Sequence, residues 1–223
     1  LIILSSYSGN TEEVVSCLNQ CITKKINPII ITSNGVLLDQ AKKNNFIYFD
    51  IPTGHMPRFA LGYSISILLL IFSKLGLISK TIEAKLAKLP ELLQLDSYSY
   101  SSLDEVNNKC IDMAKNIYDK FNIIYSSSNM EVLGLRFRAQ LAENAKILST
   151  HYIFPEQNHN EIEAFKNIHI NNINIIWIKD ISDHEMILKR MNITADLLND
   201  VVTNYYIESK GKNILNRVFK NLY

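Results

Sequence analysis

Three cysteines in 223 residues is a small number, and Cys17, Cys21 and Cys110 are odd in count and lack metal-ligand spacing. That pattern argues against a metal site. Cys17 and Cys21 stand one helical turn apart on a face expected to be buried, as packing thiols in a reducing cytoplasm. Neither sign of charge is in excess. The 23 Lys and Arg against 22 Asp and Glu leave a formal net charge of +1. There is no basic segment or helix-turn-helix, so nucleic acid is not an expected partner. No secretory signal peptide is visible, and the expected location is cytoplasmic. Glycine is scarce, with seven residues amid abundant Ile, Asn and Lys; this bias is read as genome composition and carries no functional weight. No unbroken apolar run reaches membrane-span length. The nearest, residues 60–78, is interrupted by Gly62, Ser64, Ser66, Ser73 and Lys74, leaving 67–72 as its unbroken centre. It reads as a buried helix in a domain or a dimer interface, with no membrane partner.

What is present is ordinary globular material, 47% hydrophobic and 20% charged, with ample core for one large or two small domains. Apolar strands alternate with helices. Strands are expected at 1–4, 28–32 and 46–50, with helices at 12–23 and 36–43 and the apolar helix after Pro57. Residues 78–107 turn polar and read as a linker with short helices. A second cycle follows: helix 106–120, strand 123–125, a long helix 130–146, strand 152–154, short helix 161–167, strand 173–178, helix 183–191 and a helical C-terminus from residue 198. This order predicts parallel sheets covered on both faces. Leu1 already sits inside a strand, which suggests that an N-terminal part is missing.

Directly after the first strand comes Ser5-Ser6-Tyr7-Ser8-Gly9-Asn10-Thr11-Glu12-Glu13. A strand, a hydroxyl-rich turn and a helix N-terminus form an anion site, because free N–H groups and the helix dipole both favour negative charge. Ser6, Ser8 and Thr11 can each donate to a phosphate oxygen. None brings a positive charge, which suits a phosphate held as a handle rather than one being transferred. The same residue types also make a capped turn, with Asn10 or Thr11 as the cap. Ser126-Ser127-Ser128 after the strand at 123–125 is a degenerate counterpart, lacking the Gly-Asn-Thr part, and is not expected to bind a second phosphate.

Four motifs carry a resemblance. SYSGNTEE resembles the phosphate loop of the sugar isomerase (SIS) fold. Residues 31–35, ITSNG, resemble the family's ITSGG turn, with Asn34 at a glycine position where Asn best tolerates a left-handed backbone. Residues 51–63, IPTGHMPRFALGY, resemble its proline–glycine loop followed by Pro-Arg. The helix ending Glu143-Asn144-Ala145-Lys146 and the loop PEQNHNEI at 155–162 resemble the bifunctional phosphoglucose/phosphomannose isomerases within that fold. The resemblance runs from residue 1 to about 165, and beyond Lys166 it rests on strand–helix order.

The resemblance implies an α/β protein of two SIS-type domains, each a flavodoxin-like three-layer sandwich: 1–80, a linker 81–107, and 108–223. It implies aldose–ketose isomerisation of glucose 6-phosphate and fructose 6-phosphate, with mannose 6-phosphate as a second aldose, through a cis-enediol and without cofactor or metal. Glu143 is then the base that moves the C1/C2 proton. His159 opens the sugar ring, reaching the site from the neighbouring subunit of a homodimer. Arg58 is the cation beside the enediolate, a role suited to a permanently charged guanidinium. Ser6, Ser8 and Thr11 hold the phosphate. A C-terminal lysine assists ring opening: Lys210, Lys212 and Lys220 are candidates, with Lys220 preferred. The family's earlier strand and glycine-rich turn, which bring another serine, are not in this chain. His55 could border the site, while structural or surface roles are expected for His151, His169 and His184. A non-catalytic phosphosugar sensor and a decayed isomerase stay open beside the enzyme.

Overall fold

The computed structural model of the chain describes residues 1–103, 108–167 and 172–223. They form two compact units, Leu1–Ala87 and Lys88–Tyr223.

The first unit holds three parallel strands in the order β1 (Ile3–Ser5), β2 (Ile29–Thr32), β3 (Ile47–Asp50). The crossover helices α1 (Glu12–Thr23) and α2 (Gly35–Lys43) both pack on one face, where Leu18, Leu37 and Ala41 meet Leu4 and Ile30. Right-handed crossovers advancing in one direction must place both helices on the same side. The opposite face is covered by α3 (Leu61–Lys74), through Ile71 and the half-buried Ile67 and Phe72 against Ile31. Only Ile71 and Ser73 of α3 are fully buried, so the apolar helix is less enclosed than its sequence implies. Its 14 residues span about 21 Å. No helix among the described residues is long and apolar enough to cross a membrane. The inward stripe of α1 is Val14, Val15, Leu18, Cys21 and Ile22, which leaves Cys17 exposed, contrary to the expected pair of packed thiols. The short helix α4 (Thr81–Ala87) closes this unit, its Glu83 accepting from Ser73 at 2.8 Å.

The second unit opens with α5 (Leu89–Ser101) and α6 (Lys109–Ile117). The Ser/Tyr run at 97–101, read as linker, is the end of α5. The start of the helix expected over 106–120 lies outside the described residues; the side chain of Asn108 caps α6 by accepting from the N–H groups of Cys110 and Ile111. Four parallel strands follow in the order β5-β4-β6-β7, where β4 is Phe121–Ser127, β5 Ser149–Phe154, β6 Ile173–Lys179 and β7 Thr203–Glu208. The sheet is covered by α6, α7 (Glu131–Gln140) and α9 (Ile214–Leu222) on one face. Phe165 and α8 (Glu185–Leu198) cover the other, around the fully buried Tyr125, Phe154 and Trp177. Their rings lie 5.2 to 5.9 Å apart, within the range of favourable aromatic packing.

Two elements depart from expectation. The C-terminus is not continuously helical from residue 198. Thr203, Tyr205, Tyr206 and Ile207 suit a pleated surface, and β7 pairs in register with β6 along its whole length. The helix expected over 130–146 ends its regular course at Gln140. Leu141–Ala145 form a π-turn, closed by Lys146 in a left-handed conformation (φ 60°).

Candidate active site

In the first unit, the loop after β1 gathers the three hydroxyls expected to hold a phosphate. Ser6 Oγ lies 2.7 Å from Thr11 Oγ1 and 3.5 Å from Ser8 Oγ, so the three hydroxyls converge at the N-terminus of α1. The Thr11 side chain does not cap the helix, and Glu12 and Glu13 follow in its first turn. Gly9 donates its N–H to Ser6 Oγ at 3.2 Å. The loop after β2 braces this one. Ser33 donates its hydroxyl and its N–H to the Tyr7 carbonyl, and Asn10 Oδ1 accepts from the N–H of Val36. Gly9 has φ +68°, and a Cβ there would sit 1.8 Å from the Asn34 carbonyl oxygen. Asn34 itself is extended, at φ −171°, and it is Gly35 that takes the left-handed turn (φ +72°). The tolerance of Asn34 therefore has a different cause from the one expected: the backbone at 34 is one any residue adopts.

Tyr7 links this cradle to the proline–glycine loop. Its hydroxyl donates to the Pro52 carbonyl at 3.0 Å and accepts from the His55 N–H at 2.9 Å. A cleft of about 370 Å³ at the carboxyl ends of β2 and β3 is lined by Ser33, Asp50, Ile51, Pro52 and Thr53. Arg58 is half-buried on a 3₁₀ turn, Pro57–Phe59, its guanidinium 5.6 Å from the Phe59 ring. Ser6, Ser8, Thr11 and Arg58 thus share the carboxyl edge of one sheet, where ligands of open α/β sheets bind. Tyr7 and Ser33 carry the scaffold; both stood inside the quoted motifs without being assigned a role.

In the second unit, topology separates the expected catalytic groups. Glu143, exposed in the π-turn after α7, lies where that helix has returned to the amino edge of the sheet. Lys220 is in the last turn of α9, which packs against α7 and runs the same way. His159, exposed, ends a 3₁₀ turn (Glu156–Asn158) beyond β5, at the carboxyl edge. The six residues of β5 put roughly 17–20 Å between the two edges. Within this unit Glu143 and Lys220 therefore lie toward one edge and His159 at the other. Lys210 and Lys212 are exposed in the loop between β7 and α9, also at the carboxyl edge.

The loop bearing His159 is pinned from beneath. Asn158 Nδ2 donates to Gln157 Oε1 and to Thr194 Oγ1 on α8, each at 3.0 Å, and Gln157 Nε2 reaches the buried Tyr125 hydroxyl at 3.4 Å. Burial raises the Glu161 carboxyl above the usual range, against a lowering contribution from the Tyr125 phenol. Of the remaining histidines, His184 caps α8, its Nδ1 accepting from the Met186 N–H. His151 is half-buried, its Nε2 2.9 Å from Ser126 Oγ, and the ring of His55 is 5.8 Å from that of Tyr63. His169 lies outside the described residues.

The second serine loop is filled from within. Ser127 donates to the Asp183 carboxylate, which also accepts from the Asp180 N–H at 2.8 Å. Asp180 is in turn paired with the buried Arg217 at 2.8 Å. Burial pushes the Asp180 carboxyl upward, but hydrogen bonds from Ser182 and Arg217 outweigh it and hold it below the usual range. An incoming phosphate would meet carboxylates there, where the first loop presents hydroxyls. No group of His, Cys, Asp and Glu among the described residues is arranged to hold a metal ion.

Parallel sheets wrapped by helices, with a hydroxyl-rich loop between the first strand and its helix, are the architecture of an SIS-type α/β protein. A hypothetical protein from Thermus thermophilus of known structure shares this fold, with a TM-score of 0.77 at 13% identity, over 100% of this chain and 63% of that one. The family model for the bacterial phospho-glucose isomerase C-terminal SIS domain matches residues 106–223, including the stretch where the motifs thin out. Two curated relatives, from Caldicellulosiruptor bescii and Aquifex aeolicus, both named bifunctional phosphoglucose/phosphomannose isomerase, are 37% and 30% identical over 100% and 97% of this chain. The chain spans 67% and 64% of their lengths. It belongs to the bifunctional phosphoglucose/phosphomannose isomerase family.

Proposed function

We propose that the protein interconverts glucose 6-phosphate and fructose 6-phosphate, and mannose 6-phosphate with fructose 6-phosphate, by aldose–ketose isomerisation. The observation that carries this reading is the cradle of Ser6, Ser8 and Thr11 at the N-terminus of α1, built of hydroxyls and N–H groups without a cation. Such a site grips a phosphate that does not react, and the chemistry takes place at the other end of the sugar.

That chemistry needs a base at C1/C2, a cation near the enediolate oxygen and groups that open the ring. Glu143 takes the proton from one carbon and returns it to the next. Arg58 stabilises the charge that develops on the oxygen between these transfers. His159 and Lys220 move protons to and from the ring oxygen and O1. Because Glu143 and His159 belong to opposite sheet edges of their unit, a site using both takes the histidine from a second copy. This supports a homodimer with shared sites. The family relationship and the soluble chemistry of a phosphosugar suit a cytoplasmic enzyme of carbohydrate metabolism. On this reading residues 1–80 are a first SIS domain and residues 108–223 a second, with 81–107 between them.

The test is conversion of fructose 6-phosphate to glucose 6-phosphate by the full-length protein, with mannose 6-phosphate in parallel. Glu143→Gln is expected to lower kcat by about 10²–10⁴-fold with little change in KM. A change under about threefold would remove Glu143 from the mechanism. Phosphosugar binding without turnover or C2-proton exchange would make the protein a sensor or a decayed isomerase instead.

A further inference from the structure

Lys220 is held by a carboxylate on another helix. Its ammonium lies 2.9 and 3.1 Å from the two carboxylate oxygens of Asp96 on α5, and the two side chains are only 23% and 22% exposed. A second contact repeats the link. Tyr100, one turn after Asp96, stacks on Tyr223, three residues after Lys220, with ring centroids 5.9 Å apart and planes inclined by 25°. Spacings of four on α5 and three on α9 each describe one helix face, so the two helices meet along a seam of one ion pair and one ring stack. The end of α5 is anchored in turn, because Asn108 donates to the carbonyls of Tyr100 and Ser102.

An exposed single-contact ion pair would contribute little. This one is two-pronged, largely sheltered and braced by its neighbour. A lysine at a helix end otherwise spreads over many rotamers, and proton transfer to a ring oxygen needs its ammonium at one place. The geometry points to Asp96 as the residue that positions Lys220 for ring opening, toward the sheet edge that also carries Glu143. Asp96 touches no substrate in this scheme and acts through the lysine. The inference rests on the role proposed above for Lys220.

The experiment is steady-state kinetics and thermal unfolding on the full-length protein. Asp96→Asn is expected to lower kcat about 5- to 30-fold while KM stays within about twofold, and Asp96→Glu to recover most of the loss. Tyr100→Leu, which removes the ring stack and leaves both partners of the ion pair in place, is expected to lower the melting temperature and leave kcat within about twofold. The reversed pair Asp96→Lys with Lys220→Asp is expected to fold and stay inactive. If Lys220→Met abolishes turnover but Asp96→Asn does not change it, the lysine needs no anchor and the inference fails alone. Equal loss of kcat in Tyr100→Leu and Asp96→Asn would assign the effect to helix packing and also overturn it. Full turnover in Lys220→Met would overturn the lysine's role itself, and Asp96's role with it.

Discussion

An alanine at position 9 would press its Cβ to 1.8 Å from the Asn34 carbonyl oxygen while sitting at a positive φ. The loops after β1 and β2 would have to part. Gly9→Ala is expected to raise KM for fructose 6-phosphate about tenfold or more, and to weaken inhibition by inorganic phosphate in step. Another single-residue effect concerns stability. Burial, and then the nearby Arg138, lower the His151 imidazole from about 6.5 to about 4. The unfolded chain therefore takes up this proton first. The contribution of a neutral His151 is complete above pH 6.5 and is lost progressively as pH falls toward 4. With solvent screening allowed for, its full size is about 1–2 kcal/mol. Urea unfolding at pH 7 and pH 5 should show wild type losing part of this amount and His151→Gln losing less. The turn that brings Ser6, Ser8 and Thr11 together was legible in the sequence because turn chemistry is local. The conformation of Asn34 was not, since it depends on where the neighbouring loop's carbonyl must point.

Among the elements, α9 depends on the buried pair between Arg217 and Asp180, whose side chains are 9% and 0% exposed. Arg217→Met would strand the Asp180 carboxylate in the interior. It is expected to cost about 3–5 kcal/mol, read as a fall in the urea midpoint at unchanged slope. Asp180→Asn combined with Arg217→Met should recover much of that loss. Continuous apolar runs, Ile29–Ile31, Ile123–Tyr125 and Ile175–Ile178, made β2, β4 and β6 legible as strands with both faces covered. The strand β7 escaped because its residues alternate weakly, with a burial pattern of mixed exposed and half-buried positions at a sheet edge. The π-turn at Leu141–Ala145 escaped for another reason: the apolar spacing of a helix says little about a single widened turn. The sealing of the second serine loop could not be read locally either, because Asp183 is 56 residues from Ser127.

For the whole molecule, parallel connectivity has a consequence that no single residue reveals. Each strand rises to the carboxyl edge and each crossover helix returns to the amino edge. Glu143, in the turn after α7, and His159, beyond β5, therefore lie at opposite edges of the same sheet. The motifs ENAK and PEQNHNEI are near neighbours in sequence, yet the fold parts them. Under the proposed mechanism, a site that uses both is shared between copies. The direct test mixes two inactive proteins, Glu143→Gln and His159→Ala, after co-refolding them in equal amounts. In a dimer with shared sites, half the molecules are mixed dimers and each has one intact site, so about a quarter of wild-type isomerase activity should return. No gain beyond the sum of the two separate variants would contradict a site built from Glu143 of one copy and His159 of the other.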